Sequence, residues 1–250
     1  MFFEYVILFV VSLVANAFSA FAGGGAGLLQ LPALIFLGLP FSVALATHKL
    51  ASVALGMGAT LRHFREGTLE KHFVLLLLAT GLPGVVLGAS VILQVPDRSA
   101  QLALGVLTLG LGVYSWRNKG LGQDYQPGNR DLRGSLIGGG VLFAIGLLNG
   151  SLTSGTGLFV TLWLVRWFGL DYKRAVAHTL ILVGLFWNSS GALTLGLQGA
   201  IRWDWIPVLL LASALGGYLG AHLSIVKSNR LIKRAFEWVT ILVGLKLIIG

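Results

Sequence analysis

Between Val74 and Val95 the chain runs twenty-two residues without a lysine, arginine, aspartate or glutamate. Leu102–Val113 and Val176–Gly196 are equally free of them. About 20 apolar residues in helical form cross the ~30 Å hydrocarbon core of a bilayer. Ordinary soluble domains carry roughly a quarter charged residues. This 250-residue chain has 11% charged and 56% hydrophobic, with mean hydropathy +0.85. A membrane β-barrel would show short alternating strands instead. These features predict an all-α polytopic membrane protein, with the lipid bilayer as its constant partner.

The net charge of +9 does not point to nucleic acid here. Basic residues gather in the cytoplasmic loops of membrane proteins. Without cysteine the chain has no disulfide, thiolate metal site or cysteine nucleophile. The opening "MFFEY" carries Glu4 where a secretory signal has basic residues, and no cleavage site is evident, so Met1 is expected to stay.

The chain repeats itself at an offset of about 130 residues. "FLGLPFSVALATHK" (Phe36–Lys49) is similar to "WFGLDYKRAVAHT" (Trp167–Thr179), and "GLPGVVLGAS" (Gly81–Ser90) to "SALGGYLGAH" (Ser213–His222). Asn16 and Asn149 precede corresponding breaks. A polar stretch, "QDYQPGNRDLR" (Gln123–Arg133), separates the halves. The expected organisation is a first repeat over 1–120, a cytoplasmic linker over 121–133 and a second repeat over 134–250. Each half reads as five helical elements. They are Phe2–Ala22, Ala26–Leu39, Phe41–His63, Phe73–Val95 and Ala100–Trp116, then Ser135–Asn149, Gly155–Phe168, Lys173–Leu197, Trp205–Ile225 and Leu231–Ile249. The second element of each half is too short for a full crossing, or re-enters.

Basic residues test the count. With an odd number of elements per half, fourteen lysines and arginines fall on one side and only Arg98 and Arg202 on the other. Four spans per half would divide the same sixteen evenly. Orientation follows a strong bias, so the odd count is preferred. It predicts inverted-topology repeats, with both termini outside a cytoplasmic (inner) membrane.

Each half carries a glycine break in apolar sequence: Gly23, Gly24, Gly25 and Gly27 in the first, Gly155 and Gly157 in the second. Broken helices in inverted repeats mark transporter substrate sites. Non-helical backbone at that depth must be buried in protein or line a wet cavity. A helix start there offers free N–H groups and partial positive charge. Two such starts, at Gly25–Gly27 and Gly155–Gly157, would face each other if a pseudo-twofold axis holds, and would favour a small anionic substrate. Asn16, Ser19 and Gln30 lie by the first break; Asn149, Ser151, Thr153, Ser154 and Thr156 lie by the second. Any one of these hydroxyls and amides taken singly is as well explained as a helix cap; the cluster is harder to dismiss. Gly84-x-x-x-Gly88 and Gly216-x-x-x-Gly220 read as packing faces, because glycine lets membrane helices approach closely.

Lys49 is the one cation well inside an apolar element, with Ser52 and Gly56 on its face. Such residues are usually functional, although two turns from the helix start Lys49 also has reach to snorkel. His48 and His178, with Thr47 and Thr179 beside them, fall at related positions. They read either as proton carriers or as packing residues. Asn188, Ser189 and Ser190 are weaker candidates. No carboxylate lies deep in any apolar element. That fits an anionic substrate and leaves the coupling ion, a proton or sodium, open. No metal site and no cofactor is implied, and the oligomeric state is left open.

"GGGAGLLQLPALIFLGLPFSVALAT" (Gly23–Thr47), "SGTGLFVTLWLVRWFGLDYKRAVAH" (Ser154–His178) and the two G-x-x-L-G-A stretches at Gly84–Ala89 and Gly216–Ala221 resemble the TauE/SafE family, the sulfite exporter or toluene-sulfonate uptake permease group. The likeness covers about Val6 to Gly250. It implies transport, in many members export, of sulfur-containing anions such as sulfite, sulfonates or thiosulfate. The second segment departs from the first in lacking a match for Pro32 and in having Thr156 within its glycine run. Transport of another small anion such as a carboxylate, a channel, or an intramembrane enzyme remain the alternatives. For the last, no H-E-x-x-H or G-x-S-x-G pattern occurs.

Overall fold

The computed structural model describes residues 2–24, 26–28, 30–64, 66–91, 97–152, 155–198 and 201–249. Among these residues no strand forms, and in each half a long helix is followed by a short one and then by three longer helical stretches, with a π turn interrupting the second of these three in the first half and the first of them in the second. In the first half α1 (Phe2–Ala22) leads through a 3₁₀ turn, Ala26–Leu28, to the short α2 (Gln30–Phe36). Next come α3 (Phe41–His63), then α4 (Lys71–Leu76) and α5 (Leu82–Val91) joined by a π-helical turn, and α6 (Asp97–Arg117). In the second half α7 (Leu132–Leu152) is followed by the short α8 (Thr156–Phe168). Then come α9 (Tyr172–His178) and α10 (Asn188–Gln198), joined by a nine-residue π segment, α11 (Ile206–Val226) and α12 (Asn229–Ile249).

Among the described residues five stretches are long and apolar enough to cross a membrane: Phe3–Ala22, Lys71–Ser90, Leu132–Ser151, Tyr172–Leu197 and Trp203–Val226. The protein is therefore an all-α polytopic membrane protein. α3 is as long as these but less apolar, and the reason is its position. Ala44–Lys49, Ala51 and Ser52 are buried by other helices, so lipid does not select their chemistry.

Close packing follows the glycines. A Cβ at Gly216 would stand 2.6 Å from the Leu13 carbonyl oxygen, and one at Gly220 would stand 2.2 Å from that of Ala17. Gly84 and Gly88 meet the carbonyl oxygens of Phe143 and Leu147 in the same way, at 2.3 and 2.1 Å. So α1 packs along α11, and α7 along α5. Each half thus lays its first helix on the other half's G-x-x-x-G face, in matching register. α6 pairs with α12, and α3 packs against 179–198.

The two π turns also meet. Trp187, the last residue of the second, is fully buried over Gly81, the last of the first, and donates its indole N–H to the Leu77 carbonyl at 3.0 Å. The polar linker is tied down rather than loose. Gln126 and Gly128 donate backbone N–H groups to the carbonyls of Gly169 and Phe168, and Tyr172 donates to Gly122.

The first short element departs from expectation. Instead of one helix over Ala26–Leu39, the chain makes a single 3₁₀ turn, then only seven α-helical residues, and turns at Gly38 with φ +96°. The second keeps its length. Gly155 (φ +75°) and Gly169 (φ +71°) bound it, both in the left-handed region that glycine enters without a Cβ penalty.

Candidate functional site

The two breaks touch. A Cβ on Gly24 (φ +131°) would stand 2.6 Å from the Gly157 carbonyl carbon, and one on Gly157 would be 3.1 Å from the Gly24 Cα. At Gly24 only glycine permits this backbone-to-backbone approach, and at Gly157 a side chain would be tight.

Beside that contact lies a cavity of about 40 Å³, room for a few ordered waters. From the first half it is lined by Ser19 on α1, Gly24 and Gly27 at the break, and His48, Ser52 and Leu55 on α3. The second half gives Asn149 on α7, Thr156 and Gly157 at the start of α8, and Thr179, Leu180, Val183, Gly184 and Asn188. Four of those last five lie in the π segment, whose widened turn carries them to the cavity wall. Among the described residues no carboxylate lines it.

Lys49 reaches the site through Asn149. Its ammonium is wholly buried and donates to the Asn149 backbone carbonyl at 2.8 Å and to Oδ1 at 3.2 Å. Asn149 Nδ2 in turn donates to Thr156 Oγ1 at 2.8 Å. The lysine does not snorkel. It crosses to the C-terminal end of α7, where carbonyl groups attract a cation. Among the described residues no ion pair includes it. The Lys49 side-chain nitrogen thus stands one side chain from the cavity.

His48 is held by a polar chain. Gln30 Nε2 donates to Ser12 Oγ (3.0 Å) and lies 3.4 Å from Ser213 Oγ. That turns Gln30 Oε1 toward His48 Nδ1, at 2.7 Å. His48 Nδ1–H then donates to Gln30, leaving Nε2 to accept the Ser52 hydroxyl at 3.2 Å. The second half has a smaller counterpart. Thr161 Oγ1 donates to the Gly23 carbonyl at 2.6 Å and lies 2.8 Å from Thr179 Oγ1. Both pairs, Gln30–His48 and Thr161–Thr179, are eighteen residues apart in sequence.

Of the residues singled out in sequence, Ser19, Gly24, Gly27, His48, Ser52, Asn149, Thr156, Gly157 and Thr179 border the cavity, and Gln30 and Lys49 touch a residue that does. Gly155 caps α8 beside them. Gly25, Thr153 and Ser154 lie outside the described residues. Others are placed elsewhere. Asn16 donates to Ser12 O and Ser213 Oγ between α1 and α11. Thr47 accepts the Arg202 backbone N–H, and Ser151 bonds back to Leu147 O. His178 spends both ring nitrogens on backbone, Nδ1 on Arg174 O and Nε2 on Glu70 N–H. In the register of the glycine packing the partner of Asn149 is Ser19, one turn beyond Asn16. Asn188 enters the site although its sequence signal was weak, and Thr161, bonded to Thr179 beside the cavity, gave none.

A family model described as "Sulfite exporter TauE/SafE" matches residues 8–247. The chain belongs to the TauE/SafE family. Among its relatives, a "Probable membrane transporter protein" of Haemophilus influenzae is 31% identical over 229 residues, covering 91% of this chain and 88% of that one. Escherichia coli K12 YfcA, also named a probable membrane transporter protein, is 30% identical over 243 residues, covering 97% and 88%. Bacillus subtilis YunE, named likewise, is 24% identical, covering 98% and 97%. No solved structure gives a significant match. This TauE/SafE chain is thus similar along nearly its whole length to proteins named as membrane transporters, and its Gly23–Thr47 and Ser154–His178 segments both fall inside the matched region.

Proposed function

We propose that this protein is a secondary transporter, working as an exporter, that carries small sulfur-containing anions such as sulfite or organosulfonates across the cytoplasmic membrane by alternating access. One observation carries the reading. A buried ammonium, Lys49, with no ion-pair partner among the described residues, stands beside a carboxylate-free cavity of hydroxyls and amides where two glycine breaks meet. Membership in a family described as sulfite exporters supports the substrate class.

In this reading the anion is held by backbone N–H groups near Gly25–Gly27 and Gly155–Gly157, by the hydroxyls of Ser154 and Thr156, and by the field of Lys49. The helix start at Thr156 serves better than the single 3₁₀ turn at Ala26, so the two half-sites are unequal. The halves, 1–120 and 134–250 joined by 121–133, act as inverted repeats that rock about the Gly24–Gly157 contact. The exchanged packing of α1 on α11 and α7 on α5 supports that symmetry, because a twofold operation maps one pair onto the other. A proton or a sodium ion drives the cycle.

The test is binding, then flux. Purified protein is titrated with sulfite, sulfate, thiosulfate and a small sulfonate, with chloride as control, and thermal unfolding is followed. A selective rise in Tm with one sulfur anion is expected, followed by saturable, gradient-coupled flux of that anion in proteoliposomes. No shift with any of them refutes the substrate class. Non-saturable flux refutes the carrier.

A further inference from the structure

A second pocket lies away from this cavity. It is open, about 770 Å³, and is formed where the C-terminal end of α6 meets the N-terminal end of α12. Its charge is one-sided. Lys119, Arg230 and Arg234 line it, all exposed, and none belongs to an ion pair among the described residues. Lys233 is different: buried, it is spent on the Glu237 carboxylate and the Ser115 carbonyl, so that pair adds no net charge.

Two indoles frame the same pocket. Trp116 and Trp238 are 64% and 65% exposed. Tryptophan gathers at headgroup level, where an amphipathic ring meets both apolar and wet surroundings. Further along, α12 turns Leu242 outward and α6 turns Val106 outward, exposed at 60% and 61%. From pocket to helix flank the surface passes from cationic, through aromatic, to aliphatic. A soluble anion would use only the first part of that gradient. An amphiphile with a phosphate head uses all of it. Basic pockets between membrane helices on the positively charged side suit anionic headgroups.

We propose that this α6–α12 pocket binds the headgroup of an anionic phospholipid, with Lys119, Arg230 and Arg234 on the phosphate, Trp116 and Trp238 at the glycerol level, and the acyl chains along α6 and α12. The lipid sits on the leaflet that faces the basic ends of the helices.

Native mass spectrometry of the full-length protein tests this. The protein in detergent is titrated separately with dioleoylphosphatidylglycerol and dioleoylphosphatidylcholine, and Tm is followed in parallel. Phosphatidylglycerol is expected to bind first and to raise Tm, and phosphatidylcholine is not. Arg230→Gln with Arg234→Gln should weaken phosphatidylglycerol binding about thirtyfold, given the usual contribution of each basic side chain near an anionic surface. Arg62→Gln, at a site where the guanidinium pairs with Glu66, should leave it unchanged. Both arginines are exposed, so the fold should tolerate their loss; Lys119→Gln gives an independent reading with a smaller loss. Equal binding of the two lipids, or unaltered binding by the double variant, overturns the proposal. A Tm rise with inorganic phosphate equal to that with the lipid assigns the pocket to a soluble anion and overturns it too.

Discussion

Replacing Lys49 by methionine separates a binding charge from a structural one. Methionine keeps length and flexibility, and the side chain packs against Gly191, where a Cβ would stand 2.9 Å from Nζ. Nζ lies 2.8 Å from the carbonyl oxygen of Asn149, which borders the cavity. An anion there would sit about 6 Å from the ammonium. At an effective dielectric of about 20, two unit charges at that distance attract by about 2.8 kcal/mol. Every 1.4 kcal/mol is tenfold, so the affinity for sulfite should fall about a hundredfold. Stability should respond differently. The variant loses two charge-assisted hydrogen bonds, each worth about 1.5–3 kcal/mol, and recovers the cost of burying an ammonium. These oppose, so Tm should move little. Calorimetric titration with sulfite at fixed ionic strength reads the first quantity, and thermal unfolding the second. A Kd unchanged from that of the parent protein, with a lowered Tm, refutes the reasoning and makes Lys49 a tie between α3 and α7.

Three further outcomes are expected. Gly24→Val places a branched side chain at φ +131° against the Gly157 backbone, and should abolish flux in proteoliposomes while the protein still inserts; parental flux would show that the breaks need not touch. Trp187→Ala empties a fully buried site and removes the hydrogen bond to Leu77, which should cost about 3–5 kcal/mol, read as a drop in unfolding temperature. Gly220→Leu drives a side chain into the Ala17 carbonyl and should part α1 from α11, seen as loss of a cross-link between engineered cysteines on the two helices.

Helix positions were legible where composition changes sharply. α1 and α3 begin and end where the sequence predicts, because Gly23 and Pro40 interrupt the helical backbone. α2 was not legible, since its shortening depends on how the break settles against Gly157, a contact from the other half. The π turns at Leu77–Gly81 and Thr179–Trp187 left no periodic trace either. They are bound to each other by Trp187 over Gly81, and a single-residue shift of register does not show in runs apolar on every side. Lys49, His48 and Gln30 announced themselves as polar groups in apolar sequence. Asn16 and His178 did so equally, yet their partners are Ser213 and the Glu70 and Arg174 backbone. A buried polar side chain must find a partner, and the sequence does not say whether that partner is a cavity or a neighbouring helix.

The exchange of first helices bears on how the chain is made. Asn16 on α1 finds Ser213 on α11, 197 residues later. While the ribosome works through everything between, α1 stands in the bilayer without its main neighbour, the Ala17 and Leu13 carbonyl ridge facing lipid. α5 also waits for α7, though more briefly. Late arrival of α11 then closes that face of the molecule, and any nascent chain halted before Gly216 should remain open, recognisable to membrane quality control by the uncovered Leu13–Ala17 side of α1.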